Sequence, residues 1–194
     1  MITADAYRSK ILPLRAQMEV RNRWLRERLE TVVPELMKRE GFDMWIVCAR
    51  EYNEDPVIMT LLPEPSMSAR RRTILLFNRK ADGAVERLTL DRYGHGDFYT
   101  SSWNPDEEEQ FACLARLVRE RDPQTIGINV SDLFAFGDGL SHNEYLQIAA
   151  ALGEAYMARA KSAERLVVGW LERRIPAELV VYGGIVEIGH AIIA

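Results

Sequence analysis

Leu36-Met37-Lys38-Arg39-Glu40-Gly41-Phe42-Asp43-Met44-Trp45-Ile46-Val47-Cys48-Ala49 changes its hydrophobic period halfway along. Upstream of Gly41, from Gln17 to Glu40, the apolar positions Leu25, Leu29, Val32, Val33, Leu36 and Met37 recur at helical spacing. Arg and Glu fill the opposite face, and Gly41 stands where a helix stop belongs. Pro34 removes one hydrogen bond and crowds the preceding turn, which predicts a kink or a break. Downstream, Met44–Ala49 is an unbroken apolar run between Asp43 and Arg50, short enough for a strand buried on both faces. A long amphipathic helix feeding a central strand sets an α/β pattern.

Further along, residues 51–65 read as irregular, with a short helix inside Val57–Leu62. Thr73–Phe77 and Val85–Leu90 are strand-like runs, and Asp82-Gly83 between them supplies the positive φ angles of a tight hairpin turn. Asp91–Trp103 predicts a loop feeding a short strand around Phe98–Trp103. Asn104-Pro105-Asp106-Glu107 has the cap, proline and acids of a helix start, predicting a helix to about Arg121 with Phe111, Leu114, Leu117 and Val118 inward. Asp122-Pro123 ends it, and Thr125–Val130 returns as a strand. Ser141-His142-Asn143-Glu144 is a second capping box, opening a helix that ends near Gly153. Met157–Ala160 reads as a last short strand, Ser162 as the cap of a helix to about Arg174, and Pro176 as the start of a helix running to the last residue. The order predicts a mixed β-sheet flanked by helices.

With 194 residues, 47% of them hydrophobic and 28% charged, the chain has the balance of a globular protein. A net charge of −4 and a pI near 5.5 give no basic footprint for nucleic acid, and Arg70–Arg72 is too short a run to supply one. Cys48 and Cys113 lie far apart inside apolar runs, as reduced, packed thiols do, which favours the cytoplasm. Met1–Pro13 lacks the apolar core of a signal peptide, and no run reaches the ~18 apolar residues of a membrane span.

The C-terminal segment is unusual. Leu179, Val180, Tyr182, Ile185, Val186, Ile188, Ile192 and Ile193 make it more apolar than a solvent-facing helix, and no helix stop or charged tail follows. The expectation is a truncated chain whose last helix is covered by something that follows; a helix docked on its own domain is the alternative.

Two segments carry a resemblance. The Leu36–Val47 stretch quoted above resembles the opening of the creatinase and prolidase N-terminal domain. Ser162-Ala163-Glu164-Arg165-Leu166 and Glu172-Arg173-Arg174-Ile175-Pro176-Ala177-Glu178-Leu179 resemble the junction into the catalytic domain of the same metallopeptidases, with its Pro-x-Glu turn. The resemblance runs from about Gln17 to Ala194. It implies a ribonuclease-H-like N-terminal domain over residues 1–161, and a linker helix with the start of the catalytic domain over 162–194. It also implies a homodimer and a parent enzyme that cuts short peptides before proline. Two divalent metal ions (Mn, Co or Zn) would serve that reaction, held by two Asp, one His and two Glu of the later domain, none of them a residue of this chain. Relatives often carry an aromatic-rich segment ending in Thr-Gly after the first central strand; Tyr52–Leu61 lacks that glycine, leaving open whether the parent is an aminopeptidase, a dipeptidase or creatinase-like.

Among three histidines, His95 is the candidate for a role. Asp91, His95 and Asp97 are a usable donor set for Zn or Mn, although the flanking Gly94 and Gly96 argue against a rigid site. The alternative is that His95, Asp97, Tyr99 and Trp103 line a substrate entrance or a subunit contact, or that His95 is an ordinary polar loop residue and the aromatics pack on the sheet. His142 reads as a solvated first-turn residue, and His190 as buried against a following domain. No Gly-x-Ser-x-Gly, P-loop, Cys-x-x-Cys or His-Glu-x-x-His motif occurs, and the acids Asp106–Glu109 suit a helix start. Three readings follow: a non-catalytic domain of a Xaa-Pro peptidase, a free-standing α/β interaction module docking through Leu179–Ala194, and a small metalloenzyme built on Asp91, His95 and Asp97.

Overall fold

The structure is a computed structural model and describes residues 11–66 and 68–193. The sequence reading of Met1–Pro13 as free of a signal peptide falls largely outside these residues. Helix α1 (Leu14–Glu40) leads into strand β1 (Met44–Arg50), the short helix α2 (Ile58–Leu61), and strands β2 (Arg72–Arg79) and β3 (Val85–Thr89). A 3-10 turn (Gly96–Phe98), strand β4 (Thr100–Ser101), helix α3 (Gln110–Arg121) and strand β5 (Ile126–Ile128) follow. After a second 3-10 turn (Ala135–Gly137) come helix α4 (His142–Met157), strand β6 (Ala160–Ser162), helix α5 (Glu164–Glu172) and helix α6 (Pro176–Ile193).

The strands form one mixed sheet in the order β4-β3-β2-β1-β5-β6. β2 is antiparallel to both neighbours, whereas β1 pairs parallel with β5, β5 with β6, and β3 with β4. Every strand except β2 therefore points the same way, and one end of the sheet collects their carboxyl ends together with the start of β2.

The period of two in β1 divides the core. Trp45, Val47 and Ala49 face one layer with Leu75 and Phe77, under Leu29, Val33, Leu36 and Met37 of α1 and Leu166, Val167 and Trp170 of α5. Met44, Ile46 and Cys48 face the other with Ile74 and Leu76, under Leu114, Leu117 and Val118 of α3 and Ile148 and Leu152 of α4. Because both faces are covered, β1 can be apolar throughout. The fold is α/β, a mixed six-stranded sheet flanked by helices. Helix α5, in the 162–194 segment, belongs to the first of these layers.

Several local expectations change in detail. Helix α1 runs unbroken through Pro34, whose neighbours Val33 and Leu36 are pinned in the core; the residue four positions back, Glu30, is exposed, so the carbonyl deprived of its partner belongs to a solvent-facing residue. Gly41 ends the helix at φ 74°, with Phe42 N–H donating to the Met37 carbonyl at 2.9 Å. The hairpin is present, but its connection is five residues long (80–84) and only Gly83 has positive φ. Gly83 N–H donates to Lys80 O at 2.9 Å, and Asp82 acts through its carboxylate, which accepts from Ala84 N–H at 2.9 Å.

The helix expected from Pro105 starts five residues later, at Gln110. Asn104 caps a single turn, accepting from Asp106 N–H at 3.1 Å, and Trp103 Nε1 then ties that turn down on the Glu108 carbonyl at 2.8 Å. The strand around Phe98–Trp103 shrinks to Thr100–Ser101, because Gly96–Phe98 forms the 3-10 turn. The last strand is Ala160–Ser162 instead of Met157–Ala160. Ser141 caps α4 as expected, and Gly153, at φ 72° and ψ 171°, interrupts that helix where the sequence ends it.

Candidate functional site

The loop after β3 is built around Asp91. One carboxylate oxygen accepts the backbone N–H groups of Tyr93 (3.0 Å) and Gly94 (2.5 Å), and the other lies 2.5 Å from His95 Nε2. Burial raises the Asp91 pKa, but the imidazole and the two N–H groups outweigh it and hold the carboxyl below its ordinary value. Gly94 and Gly96 take the left-handed φ values of 66° and 59° that the reversal demands. The loop is thus locked by its own polar core.

Of the residues singled out from sequence, the structure brings Asp91 and His95 together and sends Asp97 elsewhere. Asp97, 77% exposed, forms an ion pair with Arg26 of α1, one guanidinium nitrogen lying 2.8 and 2.9 Å from its two carboxylate oxygens. The three-residue donor set does not converge, and among the described residues no group of three or more His, Cys, Asp or Glu side chains does. His95 is buried, 7% exposed, with Nδ1 3.4 Å from Ser66 Oγ and its ring edge-on to Tyr99. Ser66, His95 and Asp91 have the order of a nucleophile relay, but the long hydroxyl contact and the covered imidazole make them a loop lock. Tyr99 is buried, its hydroxyl donating to Leu61 O at 2.7 Å, and burial pushes its pKa far up. Trp103 is half-buried. His142 and His190 are both exposed, so His190 faces outward from α6.

Beside this loop lies a cleft of about 300 Å³ that includes Trp103 and Tyr93 and is otherwise lined by Arg50, Arg70, Arg71, Arg72, Arg92 and Gln110. It sits where β1 and β3 end and β2 begins. The β1/β2 register places Arg50 directly opposite Arg72, an arrangement of like charges that costs energy unless a counter-charge is supplied. Glu144, buried in the first turn of α4, supplies it: Arg72 Nε lies 2.8 Å and Arg50 Nε 3.3 Å from its carboxylate. Gln110 Nε2, at the start of α3, closes the floor by donating to the carbonyls of Leu90 and Arg72.

Arg71 has φ 54°, the left-handed region. It is held there by Glu51, whose N–H donates to Arg71 O at 2.9 Å and whose carboxylate accepts Arg71 N–H at 3.2 Å. Arg70 stacks over the Tyr93 ring at 5.1 Å. The sequence contained the signal, Arg70-Arg71-Arg72, but weighed it only as a nucleic-acid footprint; Arg50 and Arg92 join it only through strand pairing.

A second buried polar chain lies at the same end of the sheet. Trp45 Nε1 donates to Asn129 Oδ1, Asn129 Nδ2 to Asp55 Oδ2, and Val57 N–H to Asp55 Oδ1, each at 2.8 Å. Burial, reinforced by Asp138, raises the Asp55 pKa to about 6 against the two hydrogen bonds that oppose it. Gly139 approaches so closely that a Cβ there would overlap the Asp55 carboxyl group. Cys48 and Cys113 are free and buried; burial raises both thiol pKa values, so neither is an activated nucleophile.

Helix α6 departs from the domain. No residue of it is buried, and Leu179, Val180, Tyr182, Ile185, Val186, Ile192 and Ile193 are all exposed. Its start is nonetheless fixed: Arg28 donates to the carbonyls of Trp170 and Arg173, pairs with Glu178 at 3.0 Å and stacks on Trp170 at 4.2 Å. By length and composition α6 could cross a membrane, with a mean hydropathy of 1.3, although the sequence suggested that no run reached that length; the window tolerates Glu178 and Glu187. Comparisons of this chain with protein-family models, with curated proteins and with solved structures find no match.

Proposed function

We propose that this chain is the non-catalytic N-terminal domain of a Xaa-Pro peptidase of the creatinase and prolidase type, with the ribonuclease-H-like topology of that family. It contributes to a homodimer and to the substrate entrance of a following catalytic domain, in a cytoplasmic enzyme. The observation that carries the reading is α6. A helix fixed at its first turn by buried Arg28, and predominantly apolar beyond it, is preorganised to be covered by another body of protein. The junction residues support it: Pro176 starts α6, and Glu178 of the Pro-x-Glu turn caps it, accepting Ile175 N–H at 2.8 Å. A bilayer is the poorer cover, since burying a carboxylate at membrane depth costs several kcal/mol and Glu187 lies far along the helix.

In this reading the chain performs no chemistry alone; the two divalent ions and their Asp, Asp, His, Glu and Glu ligands belong to the following domain. The test is the reading frame beyond Ala194. The expected result is those five ligands in family order within a few hundred codons, with metal-dependent cleavage before proline by the full product and none by residues 1–194. An in-frame stop at Ala194 refutes it in favour of a free-standing interaction module, for which the same uncovered helix is the docking face.

A further inference from the structure

We propose that the arginine-lined cleft between Arg50, Arg71, Arg72 and Arg92 is a binding site for a small organic oxyanion, a carboxylate or a phosphate monoester. This holds whether or not the peptidase reading does, because it uses only residues of this domain.

Charge comes first. On a chain of net charge −4, five arginines line one cleft. The carboxylates facing them are Glu144, engaged by Arg50 and Arg72, and Glu51, engaged by the Arg71 backbone. Among the described residues, Arg71 and Arg92 have no carboxylate on their guanidinium groups, and Arg70 has the Tyr93 ring. A repulsive cluster of this kind costs stability and gains it back when an anion binds.

Preorganisation comes second. Glu144 fixes Arg72, the Asp91–His95 lock fixes the turn that presents Arg92 and Tyr93, and the Glu51 clamp holds Arg71 in a backbone conformation that costs ~1–3 kcal/mol for a residue with a side chain. Planar guanidinium forks match carboxylate and phosphate oxygens in pairs, which a lysine cluster would not do. The carboxyl end of the parallel strands is also where α/β sheets place ligands, and the amino end of α3 adds its positive dipole.

Size comes third. About 300 Å³ admits one small molecule, with Tyr93 and Trp103 as aromatic walls for an apolar portion.

The experiment is calorimetric and NMR titration of the whole chain at low salt with inorganic phosphate, phenyl phosphate and benzoate. The site predicts saturable one-to-one binding of at least one probe, weakened by added salt, with amide shifts at residues 70–72 and 91–94. Binding by the phosphates alone or by benzoate alone supports the site and identifies the source of the oxyanion. Arg71→Gln and Arg92→Gln should each weaken binding about ten-fold, while Arg119→Gln, the same charge change on the exposed face of α3, leaves it unaltered. Both cleft variants spare the Glu144 pairs and relieve like-charge repulsion, so their unfolding midpoints should equal or exceed the parent's. No saturable binding of any probe, or equal loss in all three variants, overturns the proposal.

Discussion

Asp55 should make this domain lose stability as pH rises from about 4 to about 6, opposite to the usual behaviour of a carboxylate. Its pKa stands at about 6 in the folded chain against an ordinary 3.8. Between those values the native state holds a proton on Asp55 that the unfolded chain has released. The unfolded state therefore binds fewer protons, and the unfolding free energy falls as pH increases. At ~1.36 kcal/mol per unit, the difference amounts to ~3 kcal/mol, an order-of-magnitude figure for a side chain with no exposed surface. Stability from this group is fully present below the unfolded pKa and gone above the folded one. Asp55→Asn cannot titrate, so urea unfolding of parent and variant at about pH 4 and about pH 7 isolates the effect. The parent should lose ~3 kcal/mol more than the variant across that range. An equal change in both chains would refute the assignment, because every other titrating group is common to them.

Two further predictions follow from the packing. Gly139→Ala drives a methyl group into the Asp55 carboxyl and should cost ~1–3 kcal/mol in urea unfolding with an unaltered m-value; a neutral result would mean that the 129–140 loop moves freely. Arg28→Met removes the pair to Glu178 and the bonds to the Trp170 and Arg173 carbonyls, so amide exchange over 174–182 should accelerate markedly while β1 and β2 remain protected. Unchanged exchange in that segment would show that α6 is held by something other than Arg28.

What could be read in the sequence was what short-range period and turn chemistry encode. The helix ending at Gly41, the buried strand Met44–Ala49, the hairpin around Gly83 and the cap at Ser141 each depend on residues within a few positions of one another. Pro34 misled because the sequence states its local cost but not the burial of Val33 and Leu36 that overrides it. Asn104-Pro105 misled because one capped turn and a full helix begin alike, and only the tie of Trp103 to Glu108 separates them.

The sites behaved differently. Asp91 and His95 were legible as neighbours because they stand four positions apart, whereas the partner of Asp97, grouped with them in the sequence, is Arg26, 71 residues away. Asn129 meets Asp55 across 74 residues, and Arg72 meets Glu144 across 72. Sequence by itself determined the elements, the apolar C-terminal helix and the α/β class, since these follow from local periodicity. Only tertiary structure decided that Arg50 stands opposite Arg72, that Glu144 lies beneath them, and that a carboxylate is buried against Gly139. Strand register and layer packing are set by the whole core, and no local pattern encodes them.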